Sequence, residues 1–291
     1  MNLSQLYKSF CDSFKDISDS PASDAKILIC HCLEITQTQL ALYGDEEVPD
    51  DKLKELENLR HARVEGKPVA YLTGERGFYE CVFKVSPDTL IPRADTETLV
   101  EEAIADITEL CEEKQEVKIL DLCCGTGCIG ISVAKVLSEC FDKVNLTLAD
   151  VSQKAMEICK ENTKTLIEED NIEVSHVVGN LFEKIKDSDF DAILSNPPYI
   201  ASSVIPTLEK QVQFEPKLAL DGGKDGLDFV RQITDQAKDH LRAGGLLEME
   251  IGYDQAEDST LILEKSGYTS VEVIQDLAGN DRVIKAVHSL K

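Results

Sequence analysis

The residues Ile193 to Ala201 read ILSNPPYIA. An apolar strand predicted over Phe190–Leu194 gives way to Asn196, two prolines and Tyr199. Proline cannot donate to a sheet ladder, so the strand ends there. The side-chain carbonyl of Asn196 and the main-chain carbonyl of Pro197 can each accept a hydrogen bond, and the rigid Pro197-Pro198 turn fixes the angle between them. Two acceptors held in this way grip a planar NH2 group, and Tyr199 can pack flat on a planar substrate. The pattern suits a site that presents an amide or amine nitrogen to an electrophile. A strand-ending turn with a capping asparagine explains the same residues without chemistry.

A second stretch, VKILDLCCGTGCIGIS, reads as a strand, a tight glycine turn and a helix start. Gly125 and Gly127 let backbone approach a ligand where a side chain would clash. With Gly130 they match the spacing of the dinucleotide fingerprint, but Asp121 at the strand tip would repel a pyrophosphate. It suits a cationic or hydroxyl-bearing ligand instead. Asp150 ends the next strand, NLTLAD, where an acid can accept both hydroxyls of a ribose. A helix cap near Ser152 is the plainer reading of that acid. Cys123, Cys124 and Cys128 crowd the glycine turn without the spacing of a metal site, and no metal is expected.

These motifs need a framework. From about Asp95 strands and helices alternate. Strands are predicted at Val117–Leu122, Val144–Ala149, Glu173–Val178, Phe190–Leu194, Gly245–Ile251, Ser270–Gln275 and Arg282–Ala286. Helices are predicted at Thr96–Leu110, Cys128–Leu137, Gln153–Glu168, Gly226–Leu241 and Gln255–Lys265. The alternation implies an α/β fold with a parallel sheet wrapped on both faces, and the last two strands suggest an antiparallel edge pair. Up to about Glu65 the chain reads helical, with starts at Ser23-Asp24 and Pro49-Asp50-Asp51. Between them and the α/β region, Pro68 to Pro92 is rich in Tyr, Phe, Val and Thr with Gly and Pro breaks, and suggests a linking β-hairpin.

The chain of 291 residues carries 30 basic and 55 acidic side chains, a formal charge of −25. Phosphate contacts supply most of the affinity of nucleic-acid binders, so this balance argues against such a partner. No apolar run is long enough to span a bilayer, and the first residues, MNLSQLYKSFCDSFKD, lack the apolar block of a signal peptide. With ten scattered cysteines, the cytoplasm is the expected location.

DLCCGTGCIG, LAD and SNPPY together resemble the motifs of class I S-adenosylmethionine-dependent methyltransferases. Five further segments resemble the bacterial-type release-factor glutamine methyltransferases, the PrmC/HemK family. They are GKPVAYLTGERGFYECVFKVSPDTLIPRADTETLVEEA, EPKLALDGGKDGLDFVRQI, AGGLLEMEIGYDQ, DLAGNDRVI and, by size and helical character, the N-terminal region. The resemblance implies a Rossmann-like seven-stranded sheet with an antiparallel edge pair. It also implies a helical substrate-binding domain over 1–66, a hairpin linker over 67–92 and a catalytic domain over 93–291. The implied reaction moves a methyl group from S-adenosylmethionine to the side-chain amide nitrogen of glutamine in the Gly-Gly-Gln motif of peptide chain release factors, with S-adenosylhomocysteine as product.

By motif, Asp121 is among the cofactor-binding residues, and the loop Cys123, Cys124, Gly125, Thr126 and Gly127 borders the methionine part of the cofactor. Asp150 holds the ribose, and Asn180 and Leu181 border the adenine. Asn196, Pro197, Pro198 and Tyr199 grip the glutamine amide, with Asn196 also beside the cofactor. Two residues depart from the family pattern. Ala94 stands where proline is common, and Asn180 where an acid is usual, which implies weaker cofactor binding. A monomer acting on a protein, with neither nucleic acid nor membrane as partner, is expected. Two other readings share these motifs: an amino-methyltransferase acting on adenine in DNA or RNA, and a noncatalytic cofactor-binding module.

Overall fold

The protein was analysed as a computed structural model, which describes residues 1–289. It divides into two compact units, one of residues 1–75 with 208–214 and one of 76–207 with 215–291.

The first unit holds α1 (Leu3–Phe14), α2 (Pro21–Leu33), α3 (Gln37–Leu42), α4 (Asp50–Val64) and the short α5 (Val69–Thr73). Asn2 and Gln5 form a capping box at α1, and Thr36 and Gln39 form another at α3, each supplying two otherwise unmade hydrogen bonds. Pro21 is the first residue of α2, two positions before the expected start, because proline's fixed φ suits that position. The apolar faces meet in a core of Phe10, Phe14, Leu28, Ile29 and Leu56. The hairpin expected from Pro68 is preceded by a helical turn: Ala70 and Tyr71 are buried there, and Gly74 ends it at φ +77°.

The hairpin itself is β1 (Glu75–Phe78) and β2 (Cys81–Lys84), turned by Tyr79 and Glu80, both at positive φ. Such a two-residue turn matches the right-handed twist of its strands. In the second unit α6 (Glu97–Leu110), β3 (Glu116–Leu122), α7 (Cys128–Leu137), β4 (Lys143–Asp150), α8 (Gln153–Leu166), β5 (Ile172–Val178) and β6 (Phe190–Ser195) follow. After a loop come α9 (Asp228–Gln236), β7 (Leu241–Glu250), α10 (Ala256–Lys265), β8 (Thr269–Gln275) and β9 (Asp281–Val287).

Among the described residues the large sheet has seven strands in the order β5-β4-β3-β6-β7-β9-β8. The first five in that order run parallel, while β9 is antiparallel to both β7 and β8. Every residue of β6 is buried, as befits a strand covered on both faces. Leu122 of β3 lies beside Ala149 of β4 and Ser195 of β6, so three strand tips open at one level.

The connection between α9 and β7 also differs from expectation. The helix expected over Gly226–Leu241 ends at Gln236, and β7 starts at Leu241 rather than Gly245. Pairing jumps from Phe190↔Leu241 to Ala192↔Leu246, an irregularity that accommodates Gly244 at φ +73°.

Candidate active site

The loop after β3 is shaped by backbone that only glycine takes without strain: Gly125 at φ +53° and Gly127 at φ +80°. A β-carbon on Gly127 would lie 2.9 Å from Cys159 Sγ, whereas one on Gly125 would meet nothing within 4 Å among the described residues. Gly125 therefore opens onto free space. That space is a cavity at the tips of β3, β4 and β6, lined among others by Cys123, Cys124, Gly125, Thr126, Asp150, Asn180, Leu181, Asn196 and Pro198. Thr89, Pro92, Arg93, Thr96, Leu218 and Phe229 complete much of its wall.

Asp150 is tied into this loop. Its Oδ2 accepts from the Gly125 N–H at 2.9 Å and its Oδ1 from the Ser152 N–H at 2.8 Å. Burial raises its pKa, and those two N–H donors pull it back. The cap of α8 is Ser152, whose Oγ accepts from the Ala155 N–H at 3.2 Å. Asp150 thus closes a turn ahead of the helix, and each carboxylate oxygen keeps acceptor capacity on the cavity side.

Asp121 does not reach the cavity. It is fully buried, and its Oδ2 accepts from the Gly130 N–H at 2.8 Å. Burial pushes its carboxyl well above the usual range. A β-carbon on Gly130 would sit 2.9 Å from both Asp121 Cβ and Leu148 Cδ2, so this third glycine allows α7 to approach β3 and β4. Gly127 likewise shapes the turn from behind.

The tip of β6 is held from both sides. Asn196 Nδ2 donates to Thr96 Oγ1 at 3.3 Å, which leaves Oδ1 for other partners. Thr96 Oγ1 donates to Glu250 Oε2 at 2.5 Å, and the Tyr199 hydroxyl donates to Glu250 Oε1 at 3.1 Å. Tyr199 therefore makes its polar contact inside the protein, and neither Tyr199 nor the buried Pro197 lines the cavity. Burial, followed by the Glu250 carboxylate, raises the Tyr199 pKa. Behind the prolines the Ile200 N–H donates to Leu220 O at 3.0 Å, and the Gly222 N–H donates to Ile200 O at 2.8 Å. Gln255 Nε2 donates to Tyr199 O at 2.9 Å.

Beneath the glycine loop, Cys124 Sγ lies 3.9 Å from Cys159 Sγ. The Cys124 thiol, opposed by burial and aided by the nearby His176, lowers the Cys159 pKa, while burial pushes Cys128 up to about 12. No His, Cys, Asp or Glu cluster among the described residues is arranged to hold a metal ion.

Four contributors escaped the sequence reading. Glu215 accepts from the Ile91 N–H at 3.0 Å and pairs with Arg93, pinning the wall segment in front of the cavity. Asn162 bonds Lys84 on β2 and donates to Thr126 O at 2.9 Å, tying hairpin, α8 and glycine loop together. Thr96 and Glu250 are the others that matter most, and Glu250 did carry a signal. EMEI places acids at alternate positions of an otherwise apolar strand, so both face one side of a buried sheet. Ala94 begins a 3₁₀ turn, a position where proline is favourable but not required, so its loss leaves the turn intact.

A doubly wound sheet with an antiparallel strand inserted near one edge, and a glycine-lined cavity at its strand tips, defines a methyltransferase-type protein. Residues 102–212 match the Methyltransferase small domain, and residues 5–74 match the PrmC N-terminal domain. The chain belongs to the release factor glutamine methyltransferase family. It is 39% identical over 267 residues to the release factor glutamine methyltransferase of Aliivibrio fischeri, covering 91% of this chain and 90% of that one. The Clostridium acetobutylicum enzyme of the same name is 38% identical, with the same coverage. Among solved structures the hMettl16 catalytic domain shares the fold, with a TM-score of 0.52 at 16% identity over 72% of this chain and 75% of that one.

Proposed function

We propose that this chain transfers a methyl group from S-adenosylmethionine to the side-chain amide nitrogen of the glutamine in the Gly-Gly-Gln motif of release factors. The observation that carries this reading is Asn196. It stands at the cavity wall with Nδ2 engaged by Thr96, which frees Oδ1 to accept from a substrate NH2.

The residues present fit the cofactor. The open space at Gly125 receives a group that a side chain would displace, and Asp150 offers acceptors suited to ribose hydroxyls. Cys123, Cys124 and Thr126 border the same cavity on the methionine side of this assignment, and Asn180 and Leu181 border it on the adenine side. S-adenosylmethionine supplies a sulfonium methyl: the N–CH3 bond forms as C–S breaks, sulfur becomes a neutral thioether, and the amide proton leaves to solvent. An amide nitrogen is a poor nucleophile because its lone pair is delocalised. A hydrogen bond from its NH2 to Asn196 Oδ1 raises density on nitrogen and eases its pyramidalisation, while the buried Pro197 acts by fixing the turn. Holding that nitrogen in line is worth several kcal/mol. Tyr199 serves by buttressing the turn rather than by stacking on substrate.

The helical segment 1–66 is assigned to release-factor docking, 67–92 to the linker and 93–291 to catalysis. A substrate that acts on the ribosome puts the enzyme in the cytoplasm. Mass spectrometry of the release factor's Gly-Gly-Gln peptide, after incubation with enzyme and S-adenosylmethionine, tests the reading. A single added methyl on glutamine is expected. An unmodified factor, or methylated adenine in a parallel DNA or RNA sample, overturns it.

A further inference from the structure

We propose that Glu250 is a positioning residue for the transfer, acting through Thr96 to fix which end of the Asn196 amide faces the cavity. The inference rests on the function proposed above, in which Asn196 is the grip.

The two ends of an amide have nearly the same shape and opposite hydrogen-bonding sense. Asn196 could offer a substrate NH2 either its oxygen, which binds, or its own NH2, which does not. The surroundings decide. An ionised carboxylate only accepts, so Glu250 takes the proton of Thr96 at 2.5 Å and that of Tyr199 at 3.1 Å. A threonine hydroxyl has one proton. Having given it to Glu250, Thr96 can only accept from Asn196, and the 3.3 Å contact must then be made by Nδ2. Oδ1 is left on the cavity side. If the Thr96 proton turned toward Asn196, the amide would reverse and meet the substrate donor to donor.

Thr96 is 2% exposed and Glu250 1%, so bulk water is poorly placed to substitute for either partner. Burial raises the Glu250 pKa, against the Thr96 hydroxyl, the Arg282 charge and the Tyr199 hydroxyl, which favour the anion; Asp95 opposes them. Arg282 is itself held by Asp276, with Nη2 at 3.1 Å from Oδ2. A buried charge is weak as a stabilising device, since apolar replacements of such groups are often neutral or better. Its place at the end of a one-way chain of hydrogen bonds gives it a different use.

The test measures kcat and KM on intact release factor for Thr96→Val, Thr96→Ser and Glu250→Gln. Cofactor affinity is followed by calorimetry as the control for folding. Thr96→Val is expected to lower kcat by about tenfold to a hundredfold, the cost of losing a hydrogen bond to a charged group, with cofactor affinity unchanged. Thr96→Ser is expected to restore most of that loss. Glu250→Gln is expected to resemble Thr96→Val, because its amide can donate to Thr96 and reverse the chain. A Thr96→Val enzyme with wild-type kcat overturns the inference. So does an equal loss in the valine and serine variants accompanied by loss of cofactor affinity, which marks a packing role. A wild-type chain that binds cofactor but leaves release factor unmodified overturns the proposed function, and the inference with it.

Discussion

Asn196 and Asp150 stand at the tips of β6 and β4, on either side of β3, and substitution separates what they do. Asn196→Ala removes a hydrogen bond made chiefly as the amide nitrogen attacks. kcat and kcat/KM are predicted to fall together while cofactor affinity holds. Steady-state kinetics beside calorimetry check this, and a near-normal kcat would remove Asn196 from the mechanism. Asp150→Ala takes away the proposed ribose acceptors and also releases the Gly125 and Ser152 N–H groups. Cofactor binding is predicted to weaken by about 1.5–3 kcal/mol, the range for hydrogen bonds to a charged group. Unchanged affinity with a lower Tm would reduce Asp150 to the closure of a turn. Both residues were legible in the sequence because each ends an apolar run inside a short local motif. The pairing of Thr96 with Glu250 was not, since they are 154 positions apart and only the folded sheet brings them together. Asp121 was expected beside the cofactor, and the structure buries it against Gly130, off the cavity lining. Sequence marks the strand tip, but only packing shows that Gly130 covers it.

At the level of elements, local signals located α7 to the residue, because a glycine turn starts it and an apolar run fills it. They misplaced the start of β7, where pairing with β6 rather than local composition decides the boundary. The loop behind the Pro197-Pro198 turn makes a prediction of its own. A β-carbon on Gly226, at φ +79°, would stand 2.3 Å from Tyr199 O. Gly226→Ala must shift main chain that holds the turn, so Tm and kcat should both fall, and intact values in differential scanning calorimetry and kinetics would show the loop to be pliant. The sheet interior makes another. Burial, then the Asp106 carboxylate, holds the Glu248 carboxyl well above the glutamate range, with Lys285 opposing. A carboxyl whose folded pKa exceeds its unfolded one favours the native state at acid pH, and that advantage is lost as pH rises from the unfolded value toward the folded one. Glu248→Gln should therefore gain Tm relative to the parent as pH rises, with the gain vanishing at acid pH. A difference that stays flat across the titration would mean that the folded and unfolded chains hold the Glu248 proton alike, so that folding does not raise its pKa.

For the whole molecule the question is how one glutamine is chosen among many. In the proposed reading the tip of β6 holds a single amide, too little to distinguish one glutamine from another, so selectivity would have to come from contacts away from the reacting atoms. A chain of charge −25 draws little of that energy from phosphate, whereas a separate helical unit offers surface for a folded protein. We predict that kcat/KM for intact release factor far exceeds that for a short Gly-Gly-Gln peptide. Deleting residues 1–66 should narrow the gap by raising KM for the factor while leaving the peptide nearly unaffected, with calorimetric cofactor binding confirming that the shortened chain still folds. Replacing the target glutamine by asparagine should stop methylation, because the amide then falls about one methylene short of Asn196. Duplex DNA should remain unmodified under the same conditions. If the shortened enzyme treats the intact factor as the full chain does, the helical unit is not the docking element. If the asparagine factor is methylated at a comparable rate, the grip does not measure side-chain length and the amide-holding role of the β6 tip falls with it.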